Sequence, residues 1–317
     1  MLFFVSLVSF LITVIAYPFY IKKMQSLAYY QVISEYSLEE FKQKAKTPTM
    51  GGIIFVLATL ISLLIINLKV FSNVRVQLVV LAFLGYALIG LVDDLIIIVK
   101  GSNQGLRGKT KLFLQLLLSI IFYLIFKENS ISTITIPFLN FTFDLGYFYS
   151  VLVVLMFVGT SNAVNLTDGM DGLAGGTMLI ALLPFLYLAY LNQELEVITF
   201  IMALLGSLLG YLMFNFKPAK VIMGDVGSLA LGGSLAALAM VLKAELLLIL
   251  VGGVFVLETL SVILQIFWVK AFKKRLFLYT PIHYTFRLKG YNEKAIVLGF
   301  YLLGFIFMLL GIGVILS

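Results

Sequence analysis

Ten long runs of apolar residues alternate with short polar segments along the chain. Each run approaches the roughly 20 apolar residues that a helix needs to cross the hydrocarbon core of a bilayer. We therefore predict spanning helices near 2–21, 50–68, 76–99, 112–126, 147–164, 174–191, 197–214, 228–243, 246–269 and 295–316. No small-residue cleavage site follows the first run, so we expect it to stay as a helix and not to be removed as a signal peptide.

The composition indicates that these helices belong to a membrane protein. Of the 317 residues, 62% are hydrophobic and 12% are charged, whereas a soluble domain has about 45–50% apolar and about 25% charged residues. The excess apolar surface must face lipid, and the absence of cysteine excludes a disulfide scaffold. The predicted fold class is an all-α integral membrane protein, with residues 1–317 forming a single polytopic domain.

Basic residues predict the orientation, because cytoplasmic loops retain Lys and Arg during insertion. With the N-terminus outside, 18 of the 22 basic residues fall in cytoplasmic segments. The other four are Lys69, Arg75, Lys127 and Lys243. Since the number of predicted spans is even, we expect both termini to lie outside.

The outside segment 129–146 has a different period. Ser-Ile-Ser-Thr-Ile-Thr-Ile alternates polar and β-branched side chains up to Pro137, and Phe-Thr-Phe follows. This period of two predicts a short extracytoplasmic β-hairpin near 130–145.

Five of the six aspartates fall at the cytoplasmic ends of predicted helices: Asp93, Asp94, Asp168, Asp171 and Asp225. A carboxylate at membrane depth is unfavourable and usually marks a site or a pathway. Asp93 and Asp94 lie at a helix C-terminus, where the macrodipole disfavours negative charge, and their two carboxylates repel each other. We therefore expect a bound cation or nearby lysines. A pair exposed to water is the simpler alternative. Oxygen ligands, with no cysteine and one histidine, favour Mg²⁺ or Mn²⁺ over zinc.

The segment before the sixth helix combines Asn162, Asn165, Asp168 and Asp171 with several glycines. Such residues allow sharp turns and bring backbone N–H groups close to an anionic ligand at a helix N-terminus. Asp168 and Asp171, three positions apart, would share a face once the helix starts. Capping of the helix by Asp168 is the simpler alternative.

Lysine occurs near Gly and Thr at two cytoplasmic positions, Lys44 shortly before Thr49 and Lys111 after the third helix. This arrangement suits phosphate, although the orientation alone would also place lysines there. The single histidine, His283, lies inside the most basic loop. On the ninth helix, residues 258, 261 and 265 form one polar stripe, which indicates a groove or a helix contact and not lipid exposure.

Eight motifs, in order from residue 44 to residue 283, resemble those of the phospho-N-acetylmuramoyl-pentapeptide transferases, within the polyprenyl-phosphate N-acetylhexosamine-1-phosphate transferase superfamily. The motifs are Lys44-x-x-Thr-Pro-Thr-Met-Gly-Gly, Asp93-Asp94, Gly105-Leu-x-x-x-x-Lys111, Asn162-Ala-Val-Asn-Leu-Thr-Asp-Gly-x-Asp-Gly-Leu-Ala, Asn215-x-x-Pro-Ala-Lys, Met223-Gly-Asp-x-Gly-Ser, Glu258-x-x-Ser-Val-x-x-Gln and Pro281-Ile-His. Together they are highly specific.

The resemblance implies a ten-helix enzyme of the bacterial cytoplasmic membrane, with its active site on the cytoplasmic face. It would transfer phospho-N-acetylmuramoyl-pentapeptide from a UDP donor to undecaprenyl phosphate, giving lipid I and UMP in peptidoglycan synthesis, with Mg²⁺ as cofactor. The implied partners are UDP-N-acetylmuramoyl-pentapeptide, undecaprenyl phosphate and membrane lipid. No nucleic acid is expected, and a homodimer remains open.

The same resemblance implies site residues. Asp225 is expected to bind the metal and to be catalytic, together with Asp93, Asp94 and His283. Which aspartate of the pair acts as a base, if either does, stays open. The implied substrate-binding residues are Lys44, Thr49, Lys111, Asn162, Asn165, Asp168, Asp171, Asn215, Ile222, Gly224 and Gln265.

The chain departs from the family pattern at several positions. Where the family has three histidines followed by Phe-Glu, only His283 remains and Arg287 stands at the position of the glutamate. Ile97 and Ile222 replace a lysine and an aromatic residue.

Two other functions remain open. A related polyprenyl-phosphate N-acetylhexosamine-1-phosphate transferase would use the same fold with a smaller donor sugar. A transporter would use the aspartates as an ion path, but its carboxylates should lie near the bilayer midplane in broken helices, whereas these collect at one face.

Overall fold

The computed structural model describes residues 2–30, 47–66, 68–102, 104–136 and 141–317. Within these ranges the chain forms twelve α-helices and one two-stranded sheet. The helices are α1 (Leu2–Ser26), α2 (Gly52–Ile66), α3 (Val74–Lys100), α4 (Gly108–Phe126), α5 (Phe148–Thr167), α6 (Leu173–Leu191), α7 (Leu195–Asn215), α8 (Gly224–Val241), α9 (Glu245–Val251), α10 (Gly253–Phe272), α11 (Ile282–Leu288) and α12 (Glu293–Leu316), and the strands are β1 (Thr133–Ile136) and β2 (Phe141–Asp144). A short 3-10 helix covers Leu68–Ser72.

Nine of the described helices are long and apolar enough to cross a membrane: α1, α3, α4, α5, α6, α7, α8, α10 and α12. A further apolar helix, α2, has 15 residues and is about 22 Å long at 1.5 Å per residue. The protein is therefore an all-helical, multi-pass membrane protein, as the hydrophobic pattern predicts.

The ninth predicted span, 246–269, is wrong as a single helix. The structure divides it into α9 and α10 at Gly252. Glycine in a helix interior costs about 1 kcal/mol relative to alanine, and two glycines are adjacent here. The ring of Phe307 from α12 also packs so closely on Gly253 that a Cβ there would lie 2.6 Å from it. The short helix α11, which no apolar run predicts, follows in the next loop.

The most buried helix, α8, lies at the centre of the bundle. All its residues from Val226 to Val241 are buried, and it contacts α2, α3, α5, α6 and α9. Small residues permit this packing: a Cβ on Gly52 of α2 would overlap Gly227, and a Cβ on Gly90 of α3 would overlap the carbonyl oxygen of Asp225. Close backbone approach of this kind favours helix association in membranes. It seats α2 and α3 directly against the N-terminal end of α8.

The predicted hairpin is present at the opposite end of α8. Strand β1 pairs antiparallel with β2, with Ile134 opposite Phe143, while residues 137–140 lie outside the described residues. Lys243, just past the end of α8, donates from its Nζ to the carbonyl oxygen of Ile131 (3.1 Å) and to the hydroxyl of Tyr149 (2.6 Å). The hairpin and the N-terminus of α8 are thus separated by the whole length of this helix.

Candidate active site

Four predicted site residues meet at the N-terminal end of α8. The Asp225 carboxylate contacts the Lys111 ammonium through Oδ2 and accepts a hydrogen bond from Asn165 Nδ2 at Oδ1 (2.7 Å). Lys111 Nζ also lies 3.8 Å from Asp93 Oδ1. The side chains of Asp93, Lys111 and Asp225 are 7%, 18% and 23% exposed. These three residues, which we call the Asp–Lys cluster, come from α3, α4 and α8.

Asp94 has a different environment from its neighbour Asp93. Its Oδ1 accepts the backbone N–H of Asp225 (3.1 Å), and its Oδ2 accepts that of Val226 (3.0 Å). A carboxylate at a helix N-terminus satisfies N–H groups that have no partner in the helix and complements the macrodipole. Gly224, with φ +70°, begins α8 beside this carboxylate, and a Cβ there would lie 2.5 Å from Asp94 Oδ2.

The Thr-Pro-Thr-Met-Gly-Gly segment lies beside the Met-Gly-Asp turn. The N–H of Ile222 donates to the carbonyl of Pro48 (2.9 Å), and the N–H groups of Gly51 and Gly52 donate to the carbonyls of Ile222 (2.8 Å) and Met223 (2.9 Å). Two motifs about 175 residues apart in sequence therefore pair through their backbones.

Thr49 and Ile222, beside this pairing, are both buried and 8% exposed. The carbonyl of Thr49 accepts a hydrogen bond from the Tyr20 hydroxyl (3.0 Å). Lys44, the first residue of the motif, lies outside the described residues.

Asp168 and Asp171 lie in a turn. Because α5 ends at Thr167 and α6 begins at Leu173, the prediction that the two aspartates share a helix face is wrong. Glycines at both ends of the turn let the chain reverse before the helix starts. Asp171 Oδ2 accepts the N–H of Ala219 (3.0 Å), which joins the turn to the segment before α8.

Two N–H groups of this turn donate to protein side chains. The N–H of Asp171 donates to Glu293 Oε1 (3.0 Å), and that of Gly172 donates to Asn215 Oδ1 (2.8 Å). Asn215 also donates through Nδ2 to the carbonyl of Val221 (2.8 Å). The prediction that N–H groups here meet an anionic ligand is therefore wrong for these two positions. Asn215 instead ties the turn to the segment before α8.

Glu293 is a residue of this region that the sequence did not single out. It is 2% exposed, and its Oε2 contacts the Lys217 ammonium. Glutamate is common in the first turn of a helix, where it complements the macrodipole. The local sequence therefore does not indicate that Glu293 is buried against a distant turn.

Asn162 and Asn165 have different partners, although both lie on α5. Asn165 Nδ2 bridges Asp225 and the Ser228 hydroxyl (2.9 Å). Asn162 donates to Gln115 Oε1 (3.0 Å). Gln115 was also missed, yet a signal existed, because it follows Lys111 by four residues and so shares its helix face.

His283 is fully buried against the turn that contains Asp168. Its Nδ1 lies 3.1 Å from Glu258 Oε2 on α10, and its Nε2 faces Gly169 so closely that a Cβ there would overlap it. The hydroxyl of Tyr284 donates to the carbonyl of Gly169 (3.4 Å). Burial raises the pKa of the Tyr284 phenol, so it remains a donor.

Gln265 holds the loop that follows α10. Its Nε2 donates to the carbonyl of Phe277 (3.1 Å), and its Oε1 accepts the N–H groups of Leu276 (3.0 Å) and Phe277 (2.9 Å). Ser261 and Glu258, one and two turns earlier, are buried. The polar stripe therefore faces protein, as predicted.

The Asp–Lys cluster offers two carboxylates that could contribute oxygen ligands to a cation. The Lys111 ammonium already contacts Asp225 and lies near Asp93, so a positive charge is accommodated between oxygen donors. No three His, Asp or Glu side chains converge as a metal cage anywhere in the described part of the chain. A cation here would complete its shell with water and phosphate oxygens, as Mg²⁺ commonly does.

Carboxylates, amides and a lysine thus meet at one end of a bundle of apolar helices. The family model described as Glycosyl transferase family 4 matches residues 76–243, from α3 to the end of α8. A second model, phospho-N-acetylmuramoyl-pentapeptide-transferase signature 1, matches residues 44–56.

Full-length relatives narrow this class. Proteins named phospho-N-acetylmuramoyl-pentapeptide-transferase from Oceanobacillus iheyensis and Halalkalibacterium halodurans are each 44% identical over 309 residues, and that from Bacillus mycoides is 46% identical over 308 residues. Each comparison covers 96% of this chain and 95% of the relative. The chain therefore belongs to the phospho-N-acetylmuramoyl-pentapeptide-transferase family.

Proposed function

We propose that this protein transfers phospho-N-acetylmuramoyl-pentapeptide from its UDP donor to undecaprenyl phosphate, giving lipid I and UMP for peptidoglycan synthesis. The observation that carries the proposal is the position of Asp225. It lies at the exposed end of the central helix, held by Asn165 and Lys111 and facing Asp93. A water-soluble donor and a lipid acceptor can meet only at such an end of a membrane bundle.

The reaction exchanges one phosphoanhydride bond for another. An oxygen of the lipid phosphate bonds to the β-phosphorus of the donor, while the bond from that phosphorus to the oxygen bridging the α-phosphate breaks and UMP leaves. Both partners are anionic, so positive charge must stabilise their approach. Lys111 supplies such a charge from within the protein.

The two adjacent aspartates receive different roles in this proposal. Both oxygens of Asp94 are engaged by backbone N–H groups, so we assign it to holding the start of α8. Asp93, which faces Lys111, is the residue we assign to accept a proton from the lipid phosphate.

We propose Mg²⁺ as the cofactor, with Asp225 as its protein ligand and Asp93 as the second carboxylate facing the same position. When bound, Mg²⁺ neutralises phosphate charge and orients the reacting oxygens. The oxygen-rich donor set and the cationic Lys111 between the carboxylates support this assignment.

The acceptor chain has an apolar groove available to it. A cavity of about 290 Å³ lies between α5, α8, α9 and α10. Its lining is almost entirely apolar and includes Leu155, Met156, Ile249, Phe255 and Leu260. The break between α9 and α10 borders this groove, which suits a prenyl chain.

We further propose ten spans in a bacterial cytoplasmic membrane, with α2 as a short span and α9 and α10 counted as one. Both termini then lie outside, and the Asp–Lys cluster lies on the cytoplasmic face. The distribution of basic residues and the position of the hairpin at the other end of α8 support this topology.

The test uses the purified protein in lipid nanodiscs with undecaprenyl phosphate. UDP-N-acetylmuramoyl-pentapeptide and UDP-N-acetylglucosamine are supplied in separate reactions, each with Mg²⁺ or with EDTA. We expect UMP and a lipid-linked product only with the first donor and Mg²⁺. Product formed from UDP-N-acetylglucosamine alone would contradict the proposal and identify the related hexosamine-phosphate transferase.

A further inference from the structure

Two tyrosines of α1 bind the backbone of the Thr-Pro-Thr-Met-Gly-Gly segment. The Tyr20 hydroxyl donates to the carbonyl oxygens of Thr49 (3.0 Å) and Met50 (2.8 Å). The Tyr17 hydroxyl donates to the carbonyl oxygen of Gly51 (2.8 Å). The two tyrosines lie three positions apart and therefore share one face of α1. Three consecutive carbonyl oxygens of the segment thus receive their hydrogen bonds from a single helix.

Met50 has a backbone conformation that methionine rarely adopts. Its φ is +61°, in the left-handed region where the Cβ of an L-residue crowds the backbone. Such a conformation persists only where the surrounding structure holds it, and it commonly occurs at functional sites. This torsion runs from the carbonyl carbon of Thr49 to that of Met50, and Tyr20 binds the oxygens of both. One hydroxyl therefore clamps the strained torsion at both of its ends.

The clamped segment meets the turn that precedes Asp225. The N–H groups of its two glycines donate to the carbonyls of Ile222 (2.8 Å) and Met223 (2.9 Å). The backbone nitrogen of Met50 lies so close to Gly224 that a Cβ on this glycine would be 3.1 Å from it. Asp225 follows directly in the first turn of α8. The position of this carboxylate thus depends on the segment that α1 holds.

We propose that Tyr17 and Tyr20 are positioning residues, which hold this segment, with Met50 in its left-handed conformation, against the turn that carries Asp225. That the held position serves phosphate transfer rests on the proposed function, but the clamp itself does not. Both hydroxyls act through the backbone and not by touching the substrate. Helix α1 thereby contributes to the site as well as crossing the membrane.

Hydrogen exchange measures the clamp without any substrate. Tyr20→Phe and Tyr17→Phe each remove one hydroxyl and keep the ring. In the full-length protein in nanodiscs, we expect both variants to exchange amide hydrogens faster in peptides covering 48–52 and 221–226. Exchange in a peptide covering 234–243, at the other end of α8, should not change. Unchanged exchange at 48–52 in either variant, or equally faster exchange in all three peptides, would overturn the proposal.

Kinetics separate a positioning role from a loss of general stability. A misplacement of about 1 Å can cost about 100-fold in rate, so we expect Tyr20→Phe to lower kcat by about 10-fold or more. The KM for undecaprenyl phosphate should not change, because its proposed groove lies between α5, α8, α9 and α10. A higher KM for this lipid with an unchanged kcat would contradict the positioning role.

The matched control is Tyr149→Phe at the opposite end of the bundle. Tyr149 is 1% exposed, and its hydroxyl donates to Glu245, so this variant also loses one buried hydroxyl hydrogen bond. It should retain the turnover of the wild type. An equal fall of kcat in Tyr149→Phe and Tyr20→Phe would mean that the loss of a buried hydroxyl, and not the position of the segment, lowers the rate.

A double variant tests whether Tyr20 acts on the torsion of Met50. Glycine adopts a φ near +61° without strain, so the fold-loss in kcat caused by Tyr20→Phe should be smaller in a Met50→Gly background. Losses that multiply would overturn the clamp. Should Tyr20→Phe fail to fold, Tyr17→Phe supplies the exchange and kinetic measurements. An inactive wild type whose 48–52 amides lose protection in the tyrosine variants would contradict the proposed function while supporting the clamp.

Discussion

Asp94 caps the helix that carries Asp225. Its two carboxylate oxygens accept two backbone N–H groups of the first turn of α8, those of Asp225 and Val226, at 3.1 and 3.0 Å. The neighbouring Asp93 turns instead towards Lys111. Two adjacent carboxylates thus have separate tasks, and the position of Asp225 depends on a contact between α3 and α8.

This division predicts different consequences for the two aspartates. Asp94→Ala removes the cap of α8, which costs about 1 kcal/mol, and should lower both the thermal unfolding midpoint and the turnover. Asp93→Ala should lower turnover without an equal loss of stability. Thermal unfolding in detergent and the transferase assay measure the two effects. Equal unfolding midpoints for the two variants would contradict the capping role.

Asp225→Asn should abolish cation binding while leaving the protein folded. The amide is the same size, but it lacks the negative charge that a divalent cation requires, so turnover should fall by about two orders of magnitude or more. Mn²⁺ binding, followed by electron paramagnetic resonance, reads the site without substrate. The matched control is Asp144→Asn in the hairpin at the opposite end, which should bind Mn²⁺ as the wild type does.

Gly90→Ala should separate α3 from α8. A Cβ at this position overlaps the carbonyl oxygen of Asp225, and overpacking of this kind costs about 1–3 kcal/mol. We expect a lower unfolding midpoint and a displaced Asp225, with reduced turnover. Gly299→Ala in α12 is the control, because a Cβ there meets nothing within 4 Å. Gly299→Ala should leave the unfolding midpoint unchanged or raise it. A similar fall of the midpoint in both variants would mean that close packing of α3 on α8 is not the reason for the effect of Gly90→Ala.

Glu293→Ala should weaken donor binding more than catalysis. Glu293 joins the N–H of Asp171 to Lys217, so its loss frees the turn that bears two predicted donor-binding aspartates. A hydrogen bond to a charged group contributes about 1.5–3 kcal/mol, and we expect the KM for the UDP donor to rise about tenfold or more. Glu293→Gln keeps one acceptor oxygen, so its KM for the UDP donor should lie between those of the wild type and Glu293→Ala. A change in kcat alone would contradict this role.

The proposed topology can be tested with single cysteines, because the chain contains none. Cysteines at the exposed positions Gln104 and Lys289 should react with a membrane-impermeant maleimide only from the cytoplasm. Cysteines at Glu128 and Asn192 should react only from outside. Reversed labelling of positions 104 and 128 would place the Asp–Lys cluster on the extracytoplasmic side and contradict the proposed topology.

The sequence by itself determined the class of fold and the end of the bundle where the site lies. A bilayer has a fixed thickness and a helix a fixed rise, so the lengths of the apolar runs locate most helix ends to within a few residues. These helix lengths alone predict that Asp93, Lys111, Asn165 and Asp225 lie at the same end of the bundle. The alternation of Ser-Ile-Ser-Thr-Ile-Thr-Ile likewise predicted the hairpin, because its period is local.

Only the tertiary structure decided which of these groups touch. Neighbouring residues on a helix point about 100° apart, so Asp93 and Asp94 face different surroundings, and what lies there depends on how α3 packs on α8. The same is true of Glu293 with Asp171, of Glu258 with His283, and of the helix break at Gly252, where Phe307 approaches. Hydrophobic periodicity constrains one helix at a time, whereas these contacts arise from close packing between helices distant in sequence.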